Sequence, residues 1–223
     1  MTYLPALEIE PESHADAAVV WLHGLGADGH DFEPMVPELG LPEDAAIRFV
    51  FPHAPAIPVT VNGNYVMPAW YDILEMEIDR RVDVPQLMAS ADAVARLIDR
   101  EIERGIDSRR IIIAGFSQGG AVGLQAALTY PKPLAGLMAL STYFATADQI
   151  EPDPANSGLP VLVCHGLIDS VVPETLGSHA HERLTTMGYI SEYKTYDMGH
   201  NLSLEEIRDI STWLQARLGG SVE

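Results

Sequence analysis

The sequence predicts an α/β sandwich, a mainly parallel twisted sheet with helices on both faces, and three observations carry that prediction. Short, nearly continuous apolar runs recur at Ala17–Leu22, Ile47–Phe51, Arg110–Phe116, Leu134–Leu140 and Pro160–Cys164. Strands buried on both faces read this way, because helices cover both sides of a parallel sheet. Helical periodicity fills the intervals between the later runs, and strand–helix–strand alternation is the signature of this class. Finally, the 223 residues contain no repeat, charge block or Gly/Ser linker, so one domain without a separate cap is expected.

Taken in order, Leu7–Glu10 suits an edge strand, and the runs at 17–22 and 47–51 follow it. The stretch Pro52–Val84 breaks the rhythm with Pro52, Pro55, Pro58, Pro68 and the pair Asn62–Gly63. A segment of that length without clear periodicity reads as a lid-like or substrate-binding loop. From Pro85 to Arg104, the residues Leu87, Ala91, Val94, Ile98 and Ile102 form one apolar stripe, and Gly105 suits a C-terminal cap. Ala121–Thr129 is apolar nearly all round, as in a helix packed inside a domain. Glu174–Met187 and Ser203–Leu218 are amphipathic and stop at Gly188 and Gly219, with the β-rich run Tyr189–Tyr196 between them.

Thirteen Lys and Arg stand against thirty-two Asp and Glu, a formal charge of −19. So negative a surface repels phosphate backbones and anionic headgroups, which argues against nucleic-acid partners and stable membrane insertion. The lone cysteine, Cys164, lies in the apolar run PVLVCHG and reads as a buried, inert thiol. The opening MTYLPALEIEPES has no basic residue and no long apolar stretch, so no secretory signal is expected and a cytoplasmic location is. The uncharged span from Ile111 to Pro131 has membrane-spanning length but is interrupted by Ser117, Gln118, Gly119 and Gly120.

The sharpest chemical feature is GFSQG, residues 115–119, directly after a predicted strand and directly before a predicted helix. A nucleophile elbow needs that context. The chain must reverse sharply at the serine, flanking glycines admit close backbone approach, and the helix N-terminus offers N–H groups beside the reaction centre. The other reading is a glycine-rich turn with an incidental serine. An elbow serine needs a base and an orienting acid in the chain order Ser, acid, His. His200 follows the last predicted strand, and Asp169 lies in the loop GLIDSVVP after the strand at 160–164. Strand C-terminal ends converge on one sheet edge, so Ser117, Asp169 and His200 can meet there. His165 precedes Asp169 and violates the order. Asp197 competes as the acid, with Asp148 and Asp153 weaker still. The glycine-rich HGLGADG at His23–Gly29 can point backbone N–H groups at a substrate oxygen, with Gln118 supplying another donor. As a phosphate loop it lacks both the dinucleotide spacing and a following lysine. His179 and His181 are two apart on a helix and do not share a face, and the other histidines show no ligand spacing, so no metal is expected. Trp70 and Tyr71 read equally as substrate contacts or as pins holding a long loop to the body.

The motifs VVWLHGLGADGHDF, FPHAP, AWYDI, GFSQGGA, HGLIDSVVP and MGHNLSLEEI, in this order, resemble the carboxylesterase and acyl-protein thioesterase (phospholipase/carboxylesterase) family of α/β hydrolases, from about Ala17 to Leu218. The resemblance implies an α/β-hydrolase fold, Ser117 as nucleophile, Asp169 as acid, His200 as base, and the backbone N–H groups of Leu25 and Gln118 as the oxyanion hole. It further implies an apolar acyl groove beside the loop around Val66–Ile78, where Met67, Trp70, Tyr71, Leu74 and Met76 are candidate substrate contacts, and no cofactor. Two departures stand out: members commonly carry proline at the position of Asp197 and an acidic residue at that of Asn201. Neither removes a triad member. The expected activity is hydrolysis of short-to-medium carboxylic esters through an acyl-enzyme, with acylated proteins or lysophospholipids as rival substrates and a non-catalytic binding module as the rival from another class. Met67, Trp70 and Leu74 also offer an apolar contact for a homodimer.

Overall fold

The computed structural model describes residues 3–42, 44–75 and 81–219. The chain runs β1 (Ala6–Ile9), β2 (Ala17–Leu22), β3 (Ile47–Pro52), β4 (Ala56–Val59), β5 (Tyr65–Pro68), β6 (Ile73–Glu75), β7 (Arg81–Val82) and α1 (Val84–Glu103). It continues through β8 (Ile111–Phe116), α2 (Gln118–Thr129), β9 (Gly136–Leu140), β10 (Pro160–Gly166), α3 (Glu174–Thr186), β11 (Ile190–Tyr196) and α4 (Leu204–Leu218). Seven strands form one sheet in the order β1-β3-β2-β8-β9-β10-β11. Only β1 pairs antiparallel, at the edge, with Leu7 opposite Phe51. The other pairings are parallel, from β3–β2 through to β10–β11.

Each central strand buries alternate residues in opposite layers, which explains its unbroken apolar run. Ala18, Val20 and Leu22 of β2 and Ile111 and Ile113 of β8 face the layer containing Leu87, Val94 and Ile98 of α1 and Val122 and Leu128 of α2. Ala17, Val19, Trp21, Ile112 and Ala114 face the other layer, with Ile210, Trp213 and Leu214 of α4. The α1 stripe holds through Ile98, but at its end Glu101 takes the buried place and Ile102 is only half-buried. The Glu101 carboxylate is paired with Arg48 Nη1 at 2.8 Å and Arg104 Nη1 at 3.0 Å, the compensation a buried charge requires.

The region expected as one long loop is instead two small antiparallel hairpins, β4–β5 and β6–β7. A 3₁₀ turn over Thr60–Asn62 ends at Gly63, whose φ of 66° suits glycine, and leads into β5. Asp72 ties the hairpins down: its carboxylate accepts from the Thr60 N–H at 2.7 Å and hydroxyl at 2.6 Å, while its own N–H donates to Gln86 Oε1 at 2.8 Å. Among the described residues no helix is long and apolar enough to cross a membrane.

Candidate active site

Ser117 stands at the turn from β8 into α2 with φ 53° and ψ −120°, a left-handed conformation rare for a residue with a side chain. Two contacts hold that conformation. Its N–H donates to Leu140 O at 2.9 Å, and its carbonyl accepts from the Thr142 hydroxyl at 2.5 Å. The flanking glycines are required by closeness rather than by φ. A Cβ at Gly115 would lie 2.4 Å from Gly119 O, and one at Gly119 would lie 2.5 Å from His23 O. The elbow is thus wedged between its own helix and the end of β2.

Parallel strands deliver the other two groups to the same edge. Asp169 follows β10, and its Oδ1 accepts from the N–H groups of Val171 and Val172, both at 2.8 Å. Its Oδ2 accepts from His200 Nδ1 at 2.6 Å. His200 Nε2 in turn lies 3.0 Å from Ser117 Oγ, and the Phe116 ring packs against the imidazole at 4.7 Å between centroids. The Asp169 side chain has no exposure and that of His200 has 16%, so the carboxylate is dry while the imidazole reaches the cleft. In this arrangement the serine hydroxyl donates to His200, and His200 donates to an acceptor-only carboxylate. Asp197 is exposed, and the ring nitrogen it would need is bonded to Asp169.

A cleft of about 210 Å³ opens over Ser117 and His200, lined also by Gly24, Leu25, Ala27, Asp31, Ile73, Phe116, Gln118, Tyr143 and Val171. Leu25 and Gln118 therefore both border the space beside the serine. The loop bearing Leu25 is fixed by Gly26 N–H to Pro68 O at 2.8 Å, and Gly26 has φ 80°. Behind it, the His23 carbonyl accepts from the Trp70 indole at 2.9 Å, and His23 Nε2 accepts from Ala54 N–H at 3.1 Å. Burial holds the His23 imidazole below its usual pKa, consistent with a neutral ring accepting at Nε2. A larger cavity, about 300 Å³, lies at the opposite end of the sheet beside Ile47, Arg110 and Leu218, and Ser117, Asp169 and His200 do not line it.

The sequence-predicted substrate contacts divide. Trp70 and Tyr71 are buried, at 1% and 0% exposure, and neither lines the cleft. They act as pins: Gln118 Oε1 accepts from Trp70 N–H at 2.8 Å, and Gln118 Nε2 donates to Tyr71 O at 2.7 Å. Tyr71 supports the wall from behind, its hydroxyl 2.7 Å from that of Tyr143. Met67 is half-buried and lies near the Gly24–Ala27 loop, its sulfur 3.8 Å from where a Cβ on Gly26 would stand. Leu74 is half-buried on β6, and its neighbour Ile73 takes the cleft position because adjacent strand residues face opposite ways. Met76 lies outside the described residues. Ile73, Tyr143 and Val171 were missed, although Ile73 and Val171 sit in the motifs AWYDI and HGLIDSVVP.

Histidines without ligand spacing in sequence also meet in space. Asp28, His30 and His53 present donor atoms within 4.8 Å of one another, a set that could hold a borderline divalent cation. Each is already engaged: Asp28 Oδ1 accepts from His30 N–H at 2.8 Å and lies 3.0 Å from its Nδ1, while His53 Nδ1 accepts from Gly29 N–H at 3.0 Å.

The sequence profile described as Phospholipase/Carboxylesterase matches residues 6–218. An acyl-protein thioesterase 1 from Neurospora crassa is 37% identical, over 96% of this chain and 92% of that protein. Among solved structures, acyl-protein thioesterase 2 from Zea mays superposes with a TM-score of 0.85 at 30% identity, covering 97% of this chain and 100% of that one. SOBER1 from Arabidopsis thaliana superposes at 0.84 and 32% identity, over 91% and 99%. With a match spanning nearly the whole length, an elbow serine at the end of β8, and a parallel sheet of this order, the chain belongs to the phospholipase/carboxylesterase family of α/β hydrolases.

Proposed function

We propose that the protein is a serine hydrolase that cleaves carboxylic esters of short-to-medium acyl chains, with Ser117, His200 and Asp169 as its triad. The observation that carries the reading is the unbroken chain of contacts, Ser117 Oγ to His200 Nε2 at 3.0 Å and His200 Nδ1 to Asp169 Oδ2 at 2.6 Å. His200 takes the Ser117 proton as Oγ attacks the ester carbonyl, and the imidazolium so formed faces the Asp169 carboxylate. Charge developing on the carbonyl oxygen meets the backbone N–H groups of Leu25 and Gln118, the latter at the N-terminus of α2 where the helix dipole adds to the field. The bond to the leaving alcohol breaks as His200 returns the proton to that oxygen. Water, deprotonated by the same imidazole, then releases the acid and restores the serine. No resident cofactor takes part in any of these steps.

The second reading is thioester hydrolysis on acylated proteins, favoured by the relatives named acyl-protein thioesterase in Neurospora crassa and Zea mays. The same residues serve either leaving group. Buried Cys164 is a free thiol whose pKa burial pushes up, and it takes no part in either reading. Hydrolysis of p-nitrophenyl esters across acyl lengths, with matched thioesters, tests both readings. The ester reading predicts turnover that peaks at short-to-medium chains. A clear preference for long-chain thioesters replaces it with the second, and no turnover of either class rejects both.

A further inference from the structure

His165, which chain order keeps out of the triad, lies beside Asp169. It lies in β10, four residues before Asp169, and has no solvent exposure. Its Nε2 is 2.8 Å from the carbonyl oxygen of Val172. A carbonyl only accepts, so Nε2 carries the ring proton and donates. Val172 uses its own N–H to donate to Asp169 Oδ1, alongside Val171. With Oδ1 committed to that turn, Oδ2 is the oxygen presented to His200. Nε2 of His165 also stands 3.6 Å from Oδ2, too far for a hydrogen bond but with its N–H dipole beside the carboxylate.

We propose that His165 is a positioning residue for the triad acid: its Nε2–H closes the 169–172 turn, and that turn selects which oxygen of Asp169 faces His200. The inference rests on the triad reading above. Three observations argue that donation, rather than filling space, is what this side chain supplies. Its Nδ1 has no hydrogen-bond partner among the described residues, a cost that a leucine or phenylalanine would avoid. Burial holds its pKa below the usual histidine value, so the ring stays neutral with its single proton on Nε2. Helix α3 also closes on the ring at Gly177, where a Cβ would lie 2.2 Å from Nδ1, so the imidazole has one place to sit.

The test compares His165→Leu, which deletes the donor, with His165→Gln, whose amide N–H reaches toward the same carbonyl. Each is measured for kcat and KM on one ester, for folding by circular dichroism, and for the far-downfield proton resonance of the Asp169–His200 hydrogen bond. His165→Leu is expected to lower kcat roughly 30- to 300-fold with KM within about threefold, and to weaken that resonance. His165→Gln recovers at least about tenfold of the loss and retains the resonance. A folded His165→Leu with near wild-type kcat, or a folded His165→Gln as impaired as His165→Leu, overturns the proposal. If neither variant folds, Gly177→Ala decides the matter, because it keeps the histidine and drives a methyl against its ring. A drop in kcat of about tenfold at constant KM supports the positioning role, and unchanged kcat overturns it. Ser117→Ala run in parallel separates the two claims, since full activity there removes the triad reading itself.

Discussion

The two ends of the catalytic apparatus are built by different means. Ser117, Asp169 and His200 each follow a parallel strand and are fixed by backbone hydrogen bonds, close packing and strand register. Beside them, among the described residues of 53–75 and 81–82, the strand pairs β4–β5 and β6–β7 form two small sheets separate from the main one, and β5 carries exposed apolar groups, Tyr65 at 69% and Val66 at 57%. The three side chains are thereby tied to the central sheet, while the hairpins are attached through a few side chains such as Trp70, Asp72 and Gln118. Chemistry and specificity can then vary independently.

That contrast makes ordered predictions. The largest effect belongs to Ser117→Ala, expected to leave folding intact and to lower kcat on the order of 10⁴-fold or more. A purified sample turning over at near wild-type rate would break the assignment. Next comes Gln118→Ala, which removes the side chain joining the two regions but keeps the backbone N–H. It strands the Trp70 N–H and the Tyr71 carbonyl, and urea titration is expected to find about 2–6 kcal/mol of lost stability, from two buried groups at about 1–3 kcal/mol each. A loss under about 1 kcal/mol would mean that the pin is not a pin.

Glu206 gives a pH-dependent effect on stability. It lies on the first turn of α4, fully buried, and desolvation lifts its pKa from 4.5 to about 8. Between those values the unfolded chain ionises this group while the folded chain keeps its proton, so stability falls as pH rises through the window and levels off above it. Glu206→Gln removes the dependence. Its stability relative to wild type is therefore expected to grow by more than about 1 kcal/mol between about pH 5 and pH 8, and a constant difference would contradict the burial effect. The smallest effect is Tyr65→Ser at the hairpin. Stability should change by less than about 0.5 kcal/mol, and short-ester kcat/KM should hold within about twofold. A large loss on a short ester would show that the hairpin is not independent of the chemistry.

The same division governs what could be read from sequence. Runs such as AAVVWL and RIIIAGF were legible because strands buried on both faces need no alternation, and GFSQGG was legible because its glycines answer to contacts under 3 Å. The hairpins were not, since β6 and β7 are three and two residues long, too short to show a period. Trp70 and Tyr71 looked like substrate contacts because aromatic rings in a loop suit either role, and only their burial decides. The buried Glu101 escaped notice because its compensating arginines come from β3 and from its own helix end, a pairing no local pattern reveals. His165 was set aside by chain order, although its tie to Val172 spans only seven residues.

The central claim is that one serine, at the end of β8, forms the covalent intermediate. It is tested most directly by treating the protein with a fluorophosphonate and mapping the adduct by peptide mass spectrometry, alongside His200→Ala. A single stoichiometric adduct on Ser117, formed far more slowly in His200→Ala, is the predicted result. An adduct on another residue, or none on a folded and active enzyme, would contradict it.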